Sequence, residues 1–358
     1  MLIAHVCHRY YPYIGGVETH VEEISTRLVN RGLQVEVLTT DPSGKLPMEE
    51  TVSGVKVRRF KSWAPNEAYY FSQRLRKYLG EKSSEYSVVH AHGYHSFPAL
   101  YAAQAKGRNK LVFTPHYHGS GHTLFRSLLH RPYRFLSRKI FERADKIVCV
   151  SNYEEALIFE HFGVDKEKAV VIPNGIKLKE FKNLKKRSKD HKIALYVGRL
   201  EKYKGVHHLI RALSKLDDNI FLEVVGKGPY RETLIRLSRK LGVESRVRFS
   251  QDLRRDELLQ KYADSDVFVL LSGREAFGIT VAEALASGTP CVLANTSALT
   301  EWIDNHNCFG IDYPVELDEL VRVIMETIGR EVRPTKLWDC EEVAEKTAEL
   351  YHDVTGTD

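Results

Sequence analysis

The sequence predicts an α/β fold made of two doubly wound units of similar length. Short, nearly all-apolar runs of the kind buried in parallel sheets recur along the chain, and helical patterns separate them. Loops that contain glycine follow several of these runs, at the sheet edge where open α/β sheets bind ligands. The length of 358 residues also favours two domains, and 43 % hydrophobic residues suffice for two cores.

The first half, residues 1–172, opens with a βαβ pattern. Gly15 and Gly16 stand between its first strand and first helix, where they would let the backbone approach a ligand; a tight turn explains the pair equally well. His116 follows a strand at its carboxyl end and is therefore a candidate site residue. The predicted strands are 2–7, 34–38, 55–60, 87–89, 110–113, 147–150 and 169–172, and the predicted helices are 17–31, 68–79, 96–105, 123–146 and 153–161.

Histidines are dense in the first half, and their His-x-His spacing invites a zinc interpretation. Strand alternation would point His90 and His92 the same way. No paired cysteine or carboxylate stands at a suitable spacing, so we interpret these residues as histidines of strand-end loops, with His116 as the exception. We predict no catalytic metal. The dense set is His90, His92, His95, His116, His118 and His122.

The helix predicted over 123–146 is basic as well as amphipathic. Residues 122–146 hold seven Arg or Lys against two acidic residues. A basic amphipathic helix can lie on anionic lipid, and it can equally be a domain helix with a solvated basic face. The sequence leaves both interpretations open.

The second half, residues 173–337, repeats the alternation of strand, loop and helix. Arg199 and Lys204 flank the loop after its first strand, where a guanidinium fork and an ammonium suit a diphosphate. Gly226 and Gly228 follow the second strand, and Leu253 follows the third, where backbone groups would hydrogen-bond a base. The predicted strands are 193–197, 221–225, 247–249, 266–271 and 291–294, and a final amphipathic helix is predicted over 338–354.

The loop and helix after strand 266–271 carry two carboxylates. Glu275 lies at the mouth of the strand and Glu283 about one turn into helix 279–287, so both can face one crevice. Carboxylate oxygens accept hydrogen bonds from pairs of vicinal hydroxyl groups, which suits a ribose or a hexose. Unpaired N–H groups at the start of this helix favour a diphosphate, and they belong to Phe277, Gly278 and Ile279.

Composition and termini exclude several other classes of protein. The five cysteines are odd in number and widely spaced, which fits neither a disulfide framework nor a zinc ribbon and favours a reducing compartment. Residues 1–7 lack the features of a signal peptide, and no apolar run approaches the roughly 20 residues of a membrane span. We therefore expect a cytoplasmic protein, soluble or peripheral on the inner face of the membrane. The net charge of +6 suits phosphorylated ligands or anionic lipid, and without a nucleic-acid motif we expect no nucleic-acid partner.

Five separated motifs together resemble the retaining GT-B glycosyltransferases of family four, the group 1 glycosyltransferases. The strand, Phe-Gly loop and helix with two glutamates seven residues apart carry most of the resemblance. It spans nearly the whole chain and is specific for the superfamily, though not for a substrate. In chain order the motifs are Gly15-Gly-Val-Glu18, His116, Gly198-Arg199 with Lys204-Gly205, Gly226-Lys-Gly-Pro229, and Glu275 to Glu283.

The resemblance implies two facing Rossmann-like domains with a nucleotide sugar in the cleft between them. Residues 1–172 would bind the acceptor, residues 173–337 the nucleotide sugar, and residues 338–358 would form a helix that crosses back to the first domain. Arg199 and Lys204 would hold the diphosphate, Glu275 the sugar hydroxyls and Glu283 the ribose hydroxyls, with His116 beside the transferred sugar. The implied donor contacts also include Gly15, Gly16, Gly226, Gly228, Leu253, Phe277, Gly278, Ile279 and Thr280.

We accordingly predict a retaining hexosyltransferase that needs no cofactor beyond its UDP-sugar or GDP-sugar donor substrate, although an ADP sugar stays open. The acceptor would be a hydroxyl of a sugar, a glycan or a lipid-linked molecule in cell-surface glycan or glycolipid synthesis. Leu271 and Asn295-Thr-Ser-Ala298 depart from residues frequent in the family near the donor phosphate. The alternatives are a nucleotide-sugar epimerase, a sugar phosphorylase of the same architecture, or a non-catalytic nucleotide-sugar-binding protein.

Overall fold

A computed structural model of the chain divides into two compact units. The first comprises Met1–Gly175 and Trp338–Asp358, and the second comprises Ile176–Leu337. The structure describes the backbone of residues 1–119 and 124–357, and the side chains of these ranges except those of residues 66 and 124–132. His122 and the start of the predicted basic helix therefore lie outside the described residues.

The first unit is built on an eight-stranded sheet in the order β3-β4-β2-β1-β5-β6-β7-β8. All neighbouring strands are parallel except β3 and β4. The strands are β1 (Leu2–Val6), β2 (Gln34–Asp41), β3 (Glu49–Val52), β4 (Val55–Lys61), β5 (Val88–His92), β6 (Lys110–Thr114), β7 (Lys146–Cys149) and β8 (Ala169–Val171). The helices are α1 (Gly16–Asn30), α2 (Gln73–Lys82), α3 (Phe97–Gln104), α4 (Leu124–Arg143) and α5 (Asn152–Phe162).

This sheet is buried on both faces, which explains the continuous apolar runs of its strands. Along β1, Ile3 packs in one apolar cluster while Ala4 and Val6 pack in the other. A strand covered on two sides needs apolar residues at every position rather than at alternate ones. The sheet therefore separates two layers of helices.

The second unit is built on a six-stranded sheet in the order β11-β10-β9-β12-β13-β14, and all its pairs are parallel. This is the strand order of a doubly wound dinucleotide fold. The strands are β9 (Lys192–Val197), β10 (Ile220–Val225), β11 (Val247–Ser250), β12 (Val267–Leu270), β13 (Cys291–Ala294) and β14 (Cys308–Ile311). The helices are α6 (Val206–Leu213), α7 (Arg231–Lys240), α8 (Arg255–Asp264), α9 (Ile279–Ala286) and α10 (Leu317–Thr327).

The last helix, α11 (Cys340–Thr355), belongs to the first unit. Asp339 caps its start by accepting a hydrogen bond from the backbone N–H of Glu341, and the Glu342 carboxylate accepts one from the Asp339 N–H. Its apolar residues Val343 and Leu350 share a buried cluster with α1. The helix is thereby fixed to the first unit by apolar packing.

Three local predictions differ from the structure. The helix predicted over 68–79 begins later because Tyr69 and Tyr70 have positive φ angles, and α2 starts after its N-cap Ser72. The antiparallel edge strand β3 was not predicted, because its sequence Glu49–Val52 is short and half charged. The sequence after β13 also predicts a helix that opens at Glu301, and the structure instead has a short 3-10 turn over Ser297–Trp302.

Glycines after β9 and β10 let two loop backbones touch in the second unit. Gly226 has a φ of +145°, and a Cβ there would lie 1.9 Å from the carbonyl oxygen of Gly198. A Cβ on Gly228 would lie 2.3 Å from the carbonyl oxygen of Leu200. Leu200 N–H also donates to the Lys227 carbonyl at 2.7 Å. Only glycine permits this close approach.

We expect Gly226→Ala to destabilise the second unit much more than Gly242→Ala. Both glycines have positive φ, but a Cβ on Gly242 would meet nothing within 4 Å. Gly242→Ala should therefore cost only the backbone strain, about 1 kcal/mol of unfolding free energy, whereas Gly226→Ala should cost at least about 3 kcal/mol because it forces the loops apart. Urea unfolding followed by circular dichroism measures the difference, and equal losses would contradict the close-packing argument.

Candidate active site

The strand order of the second unit reverses between β9 and β12. These strands are parallel neighbours, with Val267 paired to Ala194, yet β9 leads to β10 on one side and β12 leads to β13 on the other. The loops that leave β9 and β12 therefore diverge and open a crevice at the carboxyl edge of the sheet, where such folds bind ligands. Arg199 and Lys204 follow β9, and Glu275 follows β12.

Lys204 and Glu275 form a buried ion pair at this reversal. Lys204 Nζ donates to Glu275 Oε1 at 2.6 Å, and the two side chains are 14 % and 16 % exposed. Burial alone would lower the pKa of Lys204, but the Glu275 carboxylate and Tyr203 more than offset it and raise the pKa above its usual value. The ammonium is therefore fully charged at neutral pH. The pair keeps a cation and an anion available at one point of the crevice.

The loop after β12 is held by the segment that follows β13. Glu275 N–H donates to Ser297 Oγ at 3.0 Å, and Trp302 Nε1 donates to the Phe277 carbonyl at 2.7 Å. Gly278 adopts a φ of +92° and directly precedes α9. These contacts fix the backbone that leads into the N-terminus of α9, next to Ile279 and Thr280.

Glu283, in the first turns of α9, is held by two side chains of α8. Glu283 Oε1 accepts a hydrogen bond from Arg255 Nη1 at 2.6 Å, and Oε2 accepts one from the Tyr262 hydroxyl at 2.8 Å. The Glu283 side chain is 11 % exposed. Burial, together with the Glu283 charge, raises the pKa of Tyr262 well above its usual value, so the phenol stays protonated and donates. Each carboxylate oxygen keeps a second lone pair for another donor.

Other residues predicted on the donor side follow strands of the same sheet. Arg199 is 57 % exposed and lies 3.3 Å from Glu201. Gly226 and Gly228 are explained by packing against the loop after β9, which gives them a structural role independent of any ligand. Leu253 packs against the apolar core beyond β11, the edge strand of the sheet.

In the first unit, the loop after β1 holds a buried carboxylate at the start of α1. Burial would raise the pKa of Glu18, but hydrogen bonding to His8 and the charge of Arg9 lower it to about 2. Arg9 Nε donates to Glu18 Oε1 at 2.8 Å. A Cβ on Gly15 would lie 2.4 Å from the Glu18 carboxylate, whereas a Cβ on Gly16 would meet nothing within 4 Å. Packing within the protein therefore explains Gly15 but gives no reason for Gly16.

His116 lies beyond the end of β6 in a strained backbone conformation, with a φ of +50°. Its ring is 5.1 Å from that of His20 on α1 and 6.2 Å from that of His92, between centroids. Burial lowers the pKa of His116 well below its usual value and that of His20 to about 4, so both rings are neutral at neutral pH. His116 Nε2 is buried without a hydrogen-bond partner.

The prediction that His90 and His92 lie in strand-end loops was wrong, because both belong to the central strand β5 and are fully buried. Their predicted common direction is confirmed, since their ring centroids are 4.1 Å apart. They join a hydrogen-bonded chain through His5 on β1 and Tyr351 on α11. Its links are Thr114 Oγ1 to His90 Nε2 at 2.7 Å, His90 Nδ1 to the Tyr351 hydroxyl at 2.5 Å, that hydroxyl to His5 Nε2 at 3.3 Å, and His5 Nδ1 to His92 Nε2 at 2.9 Å.

Sequence reasoning missed the residues that hold the predicted ones in position. Arg255 and Tyr262 lie on α8, which is separated from the helix of Glu283 by strand β12 and its exit loop. No spacing pattern in the sequence pairs these two residues with Glu283. Ser297 was named only as part of a segment that departs from the family, and the contact of Trp302 was missed because this residue lies beyond the next strand. His5 was available as a polar residue within an otherwise apolar strand, which is the one local signal of a buried polar cluster.

Comparisons with known proteins identify the family of the chain. Residues 14–180 match the family model for glycosyltransferase family 4, and residues 178–336 match the model for glycosyl transferases group 1. The chain is 29 % identical to an uncharacterized glycosyltransferase of Methanocaldococcus jannaschii over 98 % of both chains. It is 30 % identical to a glycogen synthase of Mycobacterium tuberculosis, covering 98 % of this chain and 94 % of the relative.

Solved structures show the same architecture. Sucrose-phosphate synthase from Thermosynechococcus elongatus matches with a TM-score of 0.81 at 20 % identity, over 99 % of this chain and 100 % of that chain. HepE of Anabaena, solved in complex with UDP, matches with a TM-score of 0.78 at 21 % identity over the same shares. A further HepE structure contains UDP-glucose and matches with a TM-score of 0.78 at 20 % identity. The two predicted α/β domains are confirmed as a GT-B fold, and the chain belongs to the group 1 glycosyltransferases of family 4.

Proposed function

We propose that this glycosyltransferase moves a hexose from a nucleoside diphosphate sugar to a hydroxyl acceptor, with retention of configuration at the anomeric carbon. The observation that carries the proposal is the buried Lys204–Glu275 pair at the strand-order reversal of the second unit. A diphosphate joined to a polyol needs a cation and a hydrogen-bond-accepting carboxylate side by side. The pair supplies both.

On binding, the donor would form hydrogen bonds with Lys204 and Glu275, which are paired with each other before the donor arrives. The Lys204 ammonium has three N–H groups and can donate to a phosphate oxygen as well as to Glu275. The Glu275 carboxylate can accept from sugar hydroxyls, while the N-terminus of α9 at Gly278 offers N–H groups to the diphosphate. Glu283, held by Arg255 and Tyr262, has lone pairs left for the ribose hydroxyls. Arg199 adds a second cation near the leaving diphosphate.

Transfer would proceed on one face of the sugar. The bond between the anomeric carbon and the diphosphate oxygen breaks, and its electron pair stays with the nucleoside diphosphate. The acceptor hydroxyl oxygen forms the new bond on that same face, and its proton passes to the departing phosphate oxygen. Lys204 and Arg199 stabilise the charge of the leaving group, and this electrostatic stabilisation with positioning supplies most of the rate. We assign no enzymic nucleophile.

For the first unit we propose an acceptor-binding role with two contacts to the donor. Gly16 has room for a Cβ, so the absence of a side chain there is consistent with a ligand that comes close to the backbone. His116 keeps Nε2 without a protein partner, which leaves it free to bond a hydroxyl of the transferred sugar. The strained φ of His116 supports a functional role, since such strain is concentrated at ligand sites.

A UDP sugar is the first donor to test, and the relatives support that order. HepE was solved with UDP and with UDP-glucose, and another relative is a glycogen synthase. These names describe those proteins, so GDP and ADP sugars belong in the same experiment. A phosphorylase or an epimerase would be recognised by a different outcome, because only a transferase releases nucleotide in proportion to glycosylated acceptor.

For the acceptor we propose a lipid-linked molecule or a membrane-surface glycan. The described part of α4 exposes Phe135 and Leu136, whose exposed fractions are 76 % and 42 %. Arg134, Arg138 and Lys139 are exposed beside them. Apolar side chains flanked by arginine and lysine suit the headgroup region of anionic lipid. None of the described helices is long and apolar enough to cross a membrane.

The nucleotide test measures melting temperature with UDP, GDP, ADP and their common sugars. A ligand that binds only the folded state at 100 times its Kd adds about 2.7 kcal/mol of stability, which shifts the melting temperature of a domain this size by several degrees. We expect one nucleotide to raise the melting temperature by several degrees and the other nucleotides to raise it much less. Adenosine and uridine without phosphate are the controls. The absence of any shift would contradict a nucleotide-sugar site.

Lys204→Ala and Glu275→Gln should each lower kcat at least about tenfold, which corresponds to about 1.4 kcal/mol of transition-state stabilisation. The matched control is Lys202→Ala, which removes an exposed ammonium from the same loop and should leave the rate within about twofold. Released nucleotide is measured with saturating acceptor, and circular dichroism verifies folding. Equal rates for Lys204→Ala and Lys202→Ala would refute the assigned role.

Vesicle flotation tests the membrane proposal. We expect the protein to float with anionic vesicles and not with neutral ones at low salt, and Phe135→Asp to lower recovery severalfold because a charge replaces an inserted ring. Met325→Asp in the second unit changes another exposed apolar residue and should have no effect. Equal recovery with both kinds of vesicle, or equal recovery of both variants, would overturn the proposal.

A further inference from the structure

We propose that the first unit binds one divalent transition-metal ion, with Zn²⁺ as the reference ion, through one ring nitrogen each of His20, His92 and His116. Glycosyl transfer as proposed above requires no metal ion. It does use His116, so an ion and a bound donor sugar would compete for that ring. The inference rests on three buried or half-buried rings that converge from α1, from the end of β5 and from the turn after β6.

The distances allow coordination after a small adjustment. One ring nitrogen of each of the three histidines lies within 4.8 Å of the others. In a tetrahedral site with Zn–N bonds of about 2.0–2.1 Å, neighbouring ligand nitrogens are roughly 3.4 Å apart. The ring nitrogens would therefore have to approach one another by up to about 1.4 Å when the ion binds. Three protein ligands leave a fourth position for water, as in other three-histidine sites.

Two ring nitrogens in this set have no hydrogen-bond partner among the described residues. They are His92 Nδ1 and His116 Nε2, and both are buried. His116 Nε2 is also the atom that we proposed for a sugar hydroxyl, so the ion would occupy it when no donor is bound. Buried polar atoms are normally paired, so two unpaired nitrogens on adjacent rings call for an explanation. A metal ion that accepts a lone pair from each of them satisfies both. Imidazole nitrogens select zinc, copper, nickel or iron rather than Mg²⁺ or Ca²⁺.

A second set of three histidines is a poorer candidate for the ligands. His5, His90 and His92 also have ring nitrogens within 4.8 Å of one another. Both nitrogens of His5 and both nitrogens of His90 already lie in hydrogen bonds, with His92, Tyr351 and Thr114 as partners. Binding a metal there would break that chain. His5 and His90 are therefore better suited to orient His92 by hydrogen bonds than to coordinate the metal ion themselves.

The chain can orient His92 for coordination. If Nδ1 of His92 binds the ion, its proton lies on Nε2 and donates to His5 Nδ1. His5 Nε2–H then donates to the Tyr351 oxygen, the Tyr351 hydroxyl to His90 Nδ1, and His90 Nε2–H to Thr114 Oγ1. With these protonation states, every hydrogen bond of the chain has one donor and one acceptor, and all of them point away from His92. Metal-ligating histidines typically donate their other N–H in this way, and such partners raise metal affinity.

Charge and access fit the proposal. All three rings are neutral at neutral pH because burial lowers their pKa values, and neutral imidazole is the form that coordinates. The Glu18 carboxylate, which is close enough to His116 to raise the pKa of that ring against burial, would partly balance the charge of the ion. Arg9, bound to Glu18, reduces that compensation. His116 is half-buried, which leaves a path for the ion from solvent.

The test uses the full chain without a histidine tag, first treated with a chelator and then titrated with Zn²⁺ or Co²⁺. We expect one equivalent of Zn²⁺ to bind per chain in competition with a chromophoric chelator. We expect Co²⁺ to give the intense visible absorption of a four-coordinate or five-coordinate ion rather than the weak absorption of the hydrated ion. Neither measurement depends on enzymatic activity, so failure of the proposed function would leave this result intact.

Variants separate the proposed ligands from the other histidines. His116→Gln, at the most exposed of the three positions, and His92→Gln should each lower zinc affinity at least about 100-fold, while His208→Gln, a half-buried histidine of the second unit, should leave it unchanged. Tyr351→Phe, which keeps the ring and interrupts the chain, should lower affinity about 10-fold to 100-fold. Circular dichroism identifies any variant that does not fold.

Three outcomes would overturn the proposal. The first is that the unmodified chain binds less than a tenth of an equivalent of Zn²⁺ and leaves the Co²⁺ spectrum that of the hydrated ion. The second is that His116→Gln binds as tightly as His208→Gln. The third is that His90→Gln abolishes binding while His20→Gln retains it, which would assign the ion to the other set of histidines.

Discussion

The reversal of strand order between β9 and β12 is the constraint on which the donor side of this enzyme depends. Because neighbouring strands continue in opposite directions across the sheet, their exit loops separate and leave an opening that helices do not cover. Lys204 and Glu275 occupy that opening as a buried pair. A buried ion pair contributes little to stability, since desolvation of two charges offsets their attraction. A contribution to stability therefore does not by itself explain the presence of this pair.

Carboxylates in the second unit are held in position by donors from other elements of that unit. Glu283 accepts one hydrogen bond from a guanidinium and one from a phenol of α8, so its position is fixed by contacts within the protein. Close contact between the loops after β9 and β10, permitted by Gly226, holds the neighbouring backbone in the same manner. Preorganised groups of this kind lose little freedom when a ligand binds, and this favours both affinity and rate.

The first unit has a comparable reversal of strand order between β1 and β5, and there the buried polar residues are histidines. Histidines on these two strands, with Tyr351 of α11, form one hydrogen-bonded chain in a region without charged partners. A polar chain inside a sheet is costly unless each member is paired, and here the unpaired atoms gather at one end, around His92 and His116. The final helix thus contributes a polar contact to this network as well as apolar packing on α1.

The sequence by itself determined the features that depend on local pattern. Alternating apolar runs and helices predicted two doubly wound units, and the strand, Phe-Gly loop and helix from Glu275 to Glu283 were recognisable because all their parts lie within one short segment. A serine directly before a helix is another local signal, and the Ser151 hydroxyl oxygen accepts a hydrogen bond from the Glu154 N–H at the start of α5. Only the tertiary structure decided that Arg255 and Tyr262 bind Glu283, that His20 and His92 lie close to His116, and that Tyr351 links His5 to His90. Strand order and the direction of each side chain set these contacts, and neither is encoded in the periodicity of a single segment.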